Sequence, residues 1–128
     1  MFRRRRSQGP MLAAFLYMAS ALDDAQRALL AAVPTARHDG VPLAAAIAAF
    51  ERGLAEAADR MPAWRAAETA TLHAECSAAL IAARAEVERL RLEPGRLTFE
   101  ALNGRIGDAL HPLEAFADAE QALRRAGS

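Results

Sequence analysis

Asp108, His111, Glu114 and Asp118 are the side chains of this 128-residue chain whose types and spacing come nearest to chemistry. Steps of three, three and four place all four within about 120° of one face of a helix, and carboxylates with an imidazole in that arrangement can ligate a divalent metal. The face they share points about half a turn away from the apolar stripe of Phe99, Ile106, Leu113 and Phe116. Metal sites inside helical bundles instead project inward and draw ligands from several helices. No other segment supplies a Glu-x-x-His partner, so the set reads first as a solvated face and second as a weak metal candidate.

Other reactive residue types lack their companions. His73 and Glu75 have the His-x-Glu spacing of zinc deaminases, but the second pair of cysteine ligands is absent, and on a helix the two side chains lie about 200° apart. Cys76 is the one cysteine and falls within an apolar stripe, where it serves as a small apolar residue. The serines have no strand-to-helix elbow, His38 is a lone histidine beside Asp39, and there is no phosphate-binding glycine loop. No cofactor is implied and the chain reads as a non-enzyme. Asp23, Gln26, Arg65, Glu68, Thr69 and Glu120 lie near the apolar stripes and would need partners if buried; an Arg–acid cluster that sets helix register is the expected arrangement.

One surface points to function. The third helical block carries a second apolar face, with Ala63, Ala67, Ala70, Ala74, Ala78, Ile81, Ala85 and Leu92 opposite the stripe that contains Leu72 and Leu90. Two apolar faces need two neighbours. Either the helix sits centrally, or the second face takes a partner, with Trp64, Ile81 and Leu92 as anchors and the alanines allowing close approach. The expected function is a helical interaction, assembly or accessory subunit that forms a homo-oligomer or binds a protein partner; a homodimer through this face would be two-fold and self-complementary. The alternative is a small-ligand or metal-binding bundle using the polar groups near Pro112.

The elements that must position these residues are helical. Alanine supplies 34 residues and all 16 basic residues are arginine, a helix-former's composition that GC-rich bacterial coding also produces. Pro and Gly at Gly9-Pro10, Pro34, Gly40 to Pro42, Pro62 and Pro94-Gly95 leave blocks of helix length at about 11–33, 42–61, 62–92 and 98–126. The first stripe is Leu12, Phe15, Ala19, Leu22, Gln26, Leu29, Leu30 and Val33; the second is Leu43, Ile47, Phe50, Leu54, Ala57 and Met61. The third is Leu72, Cys76, Ala79, Leu80, Ala83, Val87 and Leu90. The fourth opens on Thr98 as an N-cap, with Leu97 and Leu102 spaced as a hydrophobic staple, and Pro112 predicts a break near 108–112. Short connections favour an all-α, up-and-down antiparallel four-helix bundle, with the second and third helices either separate or one helix kinked at Pro62.

Charge divides the chain into a basic segment at 1–10 and a single helical domain at 11–128. Arg3, Arg4, Arg5 and Arg6 hold a quarter of the positive charge, which leaves the rest mildly acidic and limits nucleic-acid or acidic-surface contact to that segment. No run approaches the length of a membrane span. Residues 1–21 also resemble a secretory leader, with four arginines, an uncharged stretch from Met11 to Leu22, and Ala19-Ser20-Ala21 as a small-residue cleavage site. The first stripe runs on across that point to Val33, so an integral first helix in a cytoplasmic protein is the expectation, with export of a processed chain as the alternative.

Overall fold

A computed structural model describes the backbone of residues 2–34, 41–92 and 98–127 and the side chains of residues 9–34, 41–91 and 98–126. The described residues are helical apart from short turns, and none is in a strand. In chain order the helices are α1 (Phe2–Ala32), α2 (Val41–Arg60), α3 (Ala70–Leu92), α4 (Phe99–Leu110) and α5 (Glu114–Gly127). Only a 3-10 turn at His111–Leu113 separates α4 from α5, so four helical rods result, the last one interrupted.

The interruption follows from Pro112, which has no N–H for the carbonyl of Asp108 and a ring that crowds it. The chain tightens there into i→i+3 hydrogen bonding, buries Leu113, and resumes α-helix at Glu114. Thr98 caps α4 as its type predicts: its hydroxyl accepts from the Ala101 N–H at 3.1 Å. Leu97 of the expected staple lies outside the described residues.

Pro62 acts more strongly. Helix α2 stops at Arg60, Met61–Trp64 form a 3-10 turn, and Ala66 is extended at φ −157°, ψ 168° before a second 3-10 turn at Ala67–Thr69. The second and third helices are therefore separate, and the third starts at Ala70 rather than near residue 62. Helix α1 also differs from expectation by beginning at Phe2. Arginine is a good helix former, and Pro10 removes one hydrogen bond without ending the helix. The Arg3–Arg6 backbone is thus helical and continuous with α1, while those four side chains lie outside the described residues.

One hydrophobic cluster draws on all five helices. Helix α1 packs along α2 and against α5, and α3 packs against α2, α4 and α5. The α2 stripe is buried as expected in all six positions. The α1 stripe is turned relative to its expected position: Phe15, Met18, Leu22, Ala25, Leu29 and Ala32 are buried at alternating steps of three and four, whereas Leu30 is 52% exposed. The cause is the α1–α2 contact. Gly53 of α2 lies so close to α1 that a Cβ built there would collide with Ala25 Cβ and stand 3.0 Å from the Ala21 carbonyl oxygen. Small residues on both sides bring the two backbones together, and that approach decides which face of α1 turns inward.

Three aromatic rings join the layers. Phe15 meets Trp64 edge to face at 5.0 Å between ring centroids and Phe116 at 6.5 Å, which ties α1 to the α2–α3 connection and to α5.

Candidate functional site

The α3 helix presents two faces of opposite fate. Cys76, Ala79, Leu80, Ala83, Val87 and Leu90 point into the core, while Ala70, Ala74, Ala78, Ala82 and Ala85 are exposed around Ile81, itself 71% exposed. A β-branched aliphatic side chain left that far in water forgoes about 1.5 kcal/mol or more of burial, which a partner surface would recover. Ala67 extends the patch from the preceding turn. There an open groove of about 730 Å³ is walled by Arg65, His73 and Ser77 over Ala67, Ala70 and Ala74. The helix is held by its buried stripe and by Arg91, which reaches Glu51 of α2 at 3.7 Å and its own neighbour Glu88 at 2.6 Å.

Three members of the expected face are placed elsewhere or lie outside the described residues. Trp64 is 0% exposed and cannot anchor a partner: the 3-10 turn imposed by Pro62 rotates its indole inward against Phe15 and the His73 ring. Ala63 is exposed on that same turn and lies off the helix. The Leu92 side chain lies outside the described residues.

Two polar residues at the start of α3, Thr69 and His73, hold the connection to α2. The Thr69 hydroxyl, 2% exposed as a residue, accepts from the Ala66 N–H at 2.9 Å and donates to the Trp64 carbonyl at 2.8 Å. The His73 ring lies 4.7 Å from the Trp64 ring, and its Nε2 is 3.0 Å from the Met61 carbonyl, a spacing that places the Nε2 proton on that bond. Thr69 and His73 thereby satisfy carbonyls that the broken helix leaves open. The Trp64 indole N–H has no hydrogen-bond partner among the described residues. Arg65 and Glu68 are exposed, so the expected Arg–acid cluster reduces here to one buried hydroxyl and one imidazole.

Asp108, His111, Glu114 and Asp118 are all exposed. The structure brings together His111 and Glu114, with Nδ1 3.4 Å from Oε2, and among the described residues no three His, Cys, Asp or Glu side chains gather as a metal site. Cys76 is fully buried, its thiol 3.8 Å from the Ala115 carbonyl. Burial, and secondarily the nearby Glu75 charge, push its pKa up to about 12, which keeps it protonated and poorly nucleophilic.

The remaining polar candidates line a second groove, of about 260 Å³, between α1 and the α4–α5 break. Asp23, Gln26, Glu114 and Glu120 rim it above Leu113 and Phe116. Two of these carboxylates already have partners from their own chain, Glu114 in His111 and Glu120 in Arg124 at 3.0 Å.

The described residues are all-helical, no described element covers the outer face of α3 around Ile81, and no described helix is long and apolar enough to cross a membrane. No family model, no curated protein and no solved structure matches the chain.

Proposed function

We propose that this protein is a non-enzymatic interaction or assembly subunit, built as an up-and-down antiparallel bundle, that works by presenting the outer face of α3 to another protein. The observation that carries the reading is Ile81, the most exposed of the large apolar side chains described on α3, set among exposed alanines. Alanine at those positions lets a second helix approach closely, and Ile81 supplies the anchor. We assign the protein to the cytoplasm, with export as the alternative. Phe15 and Met18, which processing after Ala21 would remove, are both 0% exposed in the core.

The test is Ile81→Glu, compared with wild type by light scattering, alone and with extract of the native host. Association that disappears while the far-UV circular dichroism is unchanged supports the reading. Association that survives in both arms refutes it.

A second reading rests on the groove at the Pro112 break. Its apolar floor and carboxylate rim suit a small organic cation, which would raise the melting temperature by mass action in a thermal-shift screen. Absence of any shift across amines of increasing size removes it.

A further inference from the structure

We propose that the occupant of the α3 face is a second copy of this chain, laid antiparallel across a two-fold axis that passes beside Ala82. The proposal rests on the reading of that face as a docking surface and names its partner. Its ground is charge complementarity of the face with itself. Helix α3 is uninterrupted from Ala70 to Leu92, so positions seven apart fall in one column along it. Glu75, Ala82 and Arg89 form such a column on one edge of the exposed alanine surface, and all three are exposed. A two-fold axis perpendicular to the helix keeps each edge against the same edge of the other copy and reverses chain direction. With the axis at Ala82, each Glu75 stands opposite Arg89 of the second copy, about 10 Å either side of the axis.

Other residues agree with this register or make it testable. The two Ile81 side chains meet beside the axis, where each covers the other's exposed surface. On the opposite edge Ser77 stands across from Glu88 of the second copy, a hydroxyl donor facing a carboxylate. The Arg89 guanidinium is 3.4 Å from its own Glu86 at a mostly exposed position, which leaves donors for a second carboxylate. Two elements are unfavourable: each copy's Arg84 stands near the other, two residues from the axis, and Glu86, beside Arg89 on the same edge, lies within a turn of the second copy's Glu75.

One helix face of this length covers less than the roughly 800 Å² per partner of a standard interface. The dimer is therefore weak and is measured by sedimentation equilibrium of the full chain into the hundreds of micromolar, at low salt. Glu75→Arg and Arg89→Glu each convert two attractions into two repulsions, and each weakens self-association about tenfold or more. An equimolar mixture of the two variants restores association, because in the mixed dimer the arginines at positions 75 and 89 of one chain face the glutamates at positions 89 and 75 of the other. Arg84→Ala associates more tightly than wild type. Failure of the mixture to re-associate, or weaker association of Arg84→Ala, overturns the antiparallel placement. A wild-type chain that is monomeric throughout overturns the second copy as occupant. If Ile81→Glu then still abolishes a complex formed in host extract, the docking face stands with a different partner; if it abolishes nothing, both fall.

Discussion

Gly53→Ala is the substitution that most sharply tests the close approach of α1 and α2. In an ordinary exposed helix the change would stabilise the protein by about 1 kcal/mol, because alanine loses less backbone entropy than glycine. At Gly53 the new methyl has no room. It runs into Ala25 Cβ, stands 3.0 Å from the Ala21 carbonyl oxygen and 3.7 Å from Ala25 Cα. None of these atoms sits on a side chain that can swing away, so the helices themselves must separate. Overpacking costs about 1–3 kcal/mol, and the upper end applies where backbone must move. Subtracting the propensity gain leaves a net loss of about 2 kcal/mol. Gly104→Ala and Gly107→Ala provide the internal control, since nothing lies within 4 Å of a Cβ at either position in α4. Each of those should gain up to about 1 kcal/mol. The assay is urea denaturation followed by circular dichroism, in which the midpoint falls for Gly53→Ala and rises for the two controls. Adding Ala25→Gly to Gly53→Ala moves the methyl across the contact and recovers most of the loss, a coupling that a double-mutant cycle reads directly. If Gly53→Ala raises the midpoint as the controls do, the α1–α2 contact described above is wrong.

Three further outcomes follow from the core and the α2–α3 connection. Thr69→Val leaves the Ala66 N–H and the Trp64 carbonyl without their partner and costs about 1–3 kcal/mol by urea denaturation, whereas Thr69→Ser retains most of the stability. Trp64 emits with the blue-shifted maximum of a buried indole, and its spectrum is unchanged across the concentration range in which the chain associates, because it lies in the core and not on the α3 face. Cys76 resists thiol reagents at neutral pH until the chain unfolds. Its raised folded pKa also makes stability fall as pH climbs above the unfolded value near 9 toward about 12, because over that window the unfolded chain releases a proton that the folded chain keeps. Comparison with Cys76→Ala isolates that slope, and an identical pH dependence in the two proteins would contradict it.

Legibility of the fold depended on how strongly each face was marked. In α2 and the turn after it, apolar residues recur at steps of four and three, and every one of Leu43, Ile47, Phe50, Leu54, Ala57 and Met61 is buried. In α1 the same reasoning chose Leu30 over Ala25 and Ala32, since it weighs residues by apolar size. Size is the wrong criterion where two backbones approach, because there the smallest residues are the ones that must face the contact. Gly53 was the available signal: a glycine inside a strongly patterned helix has either a packing reason or a cost of about 1 kcal/mol. Trp64 departs from helical periodicity for a related reason: the period does not carry through Pro62, where the proline changes the turn and with it the direction of every side chain until Ala70.

The same weakness of marking governs the candidate site. An alanine stripe is compatible with burial, exposure and docking, because alanine carries too little apolar area to settle its own environment. The sequence could therefore locate the outer face of α3 without deciding between a central helix and an open one. What decides exposure is the position of the neighbours: α2, α4 and α5 all pack against the stripe containing Cys76 and Leu90, and no described element covers Ile81. One large β-branched side chain on that face is then the informative residue, since it is costly to leave in water and easily replaced. Where the chemistry-bearing residues gave the clearest spacing, as from Asp108 to Asp118, the interrupted α4–α5 rod brought only His111 and Glu114 together. Spacing along a single helix aligns side chains but does not enclose a ligand. An apolar face needs only alignment along one helix to meet another surface, which is why the α3 face supports the proposed reading better than the Asp108–Asp118 spacing supports a metal reading.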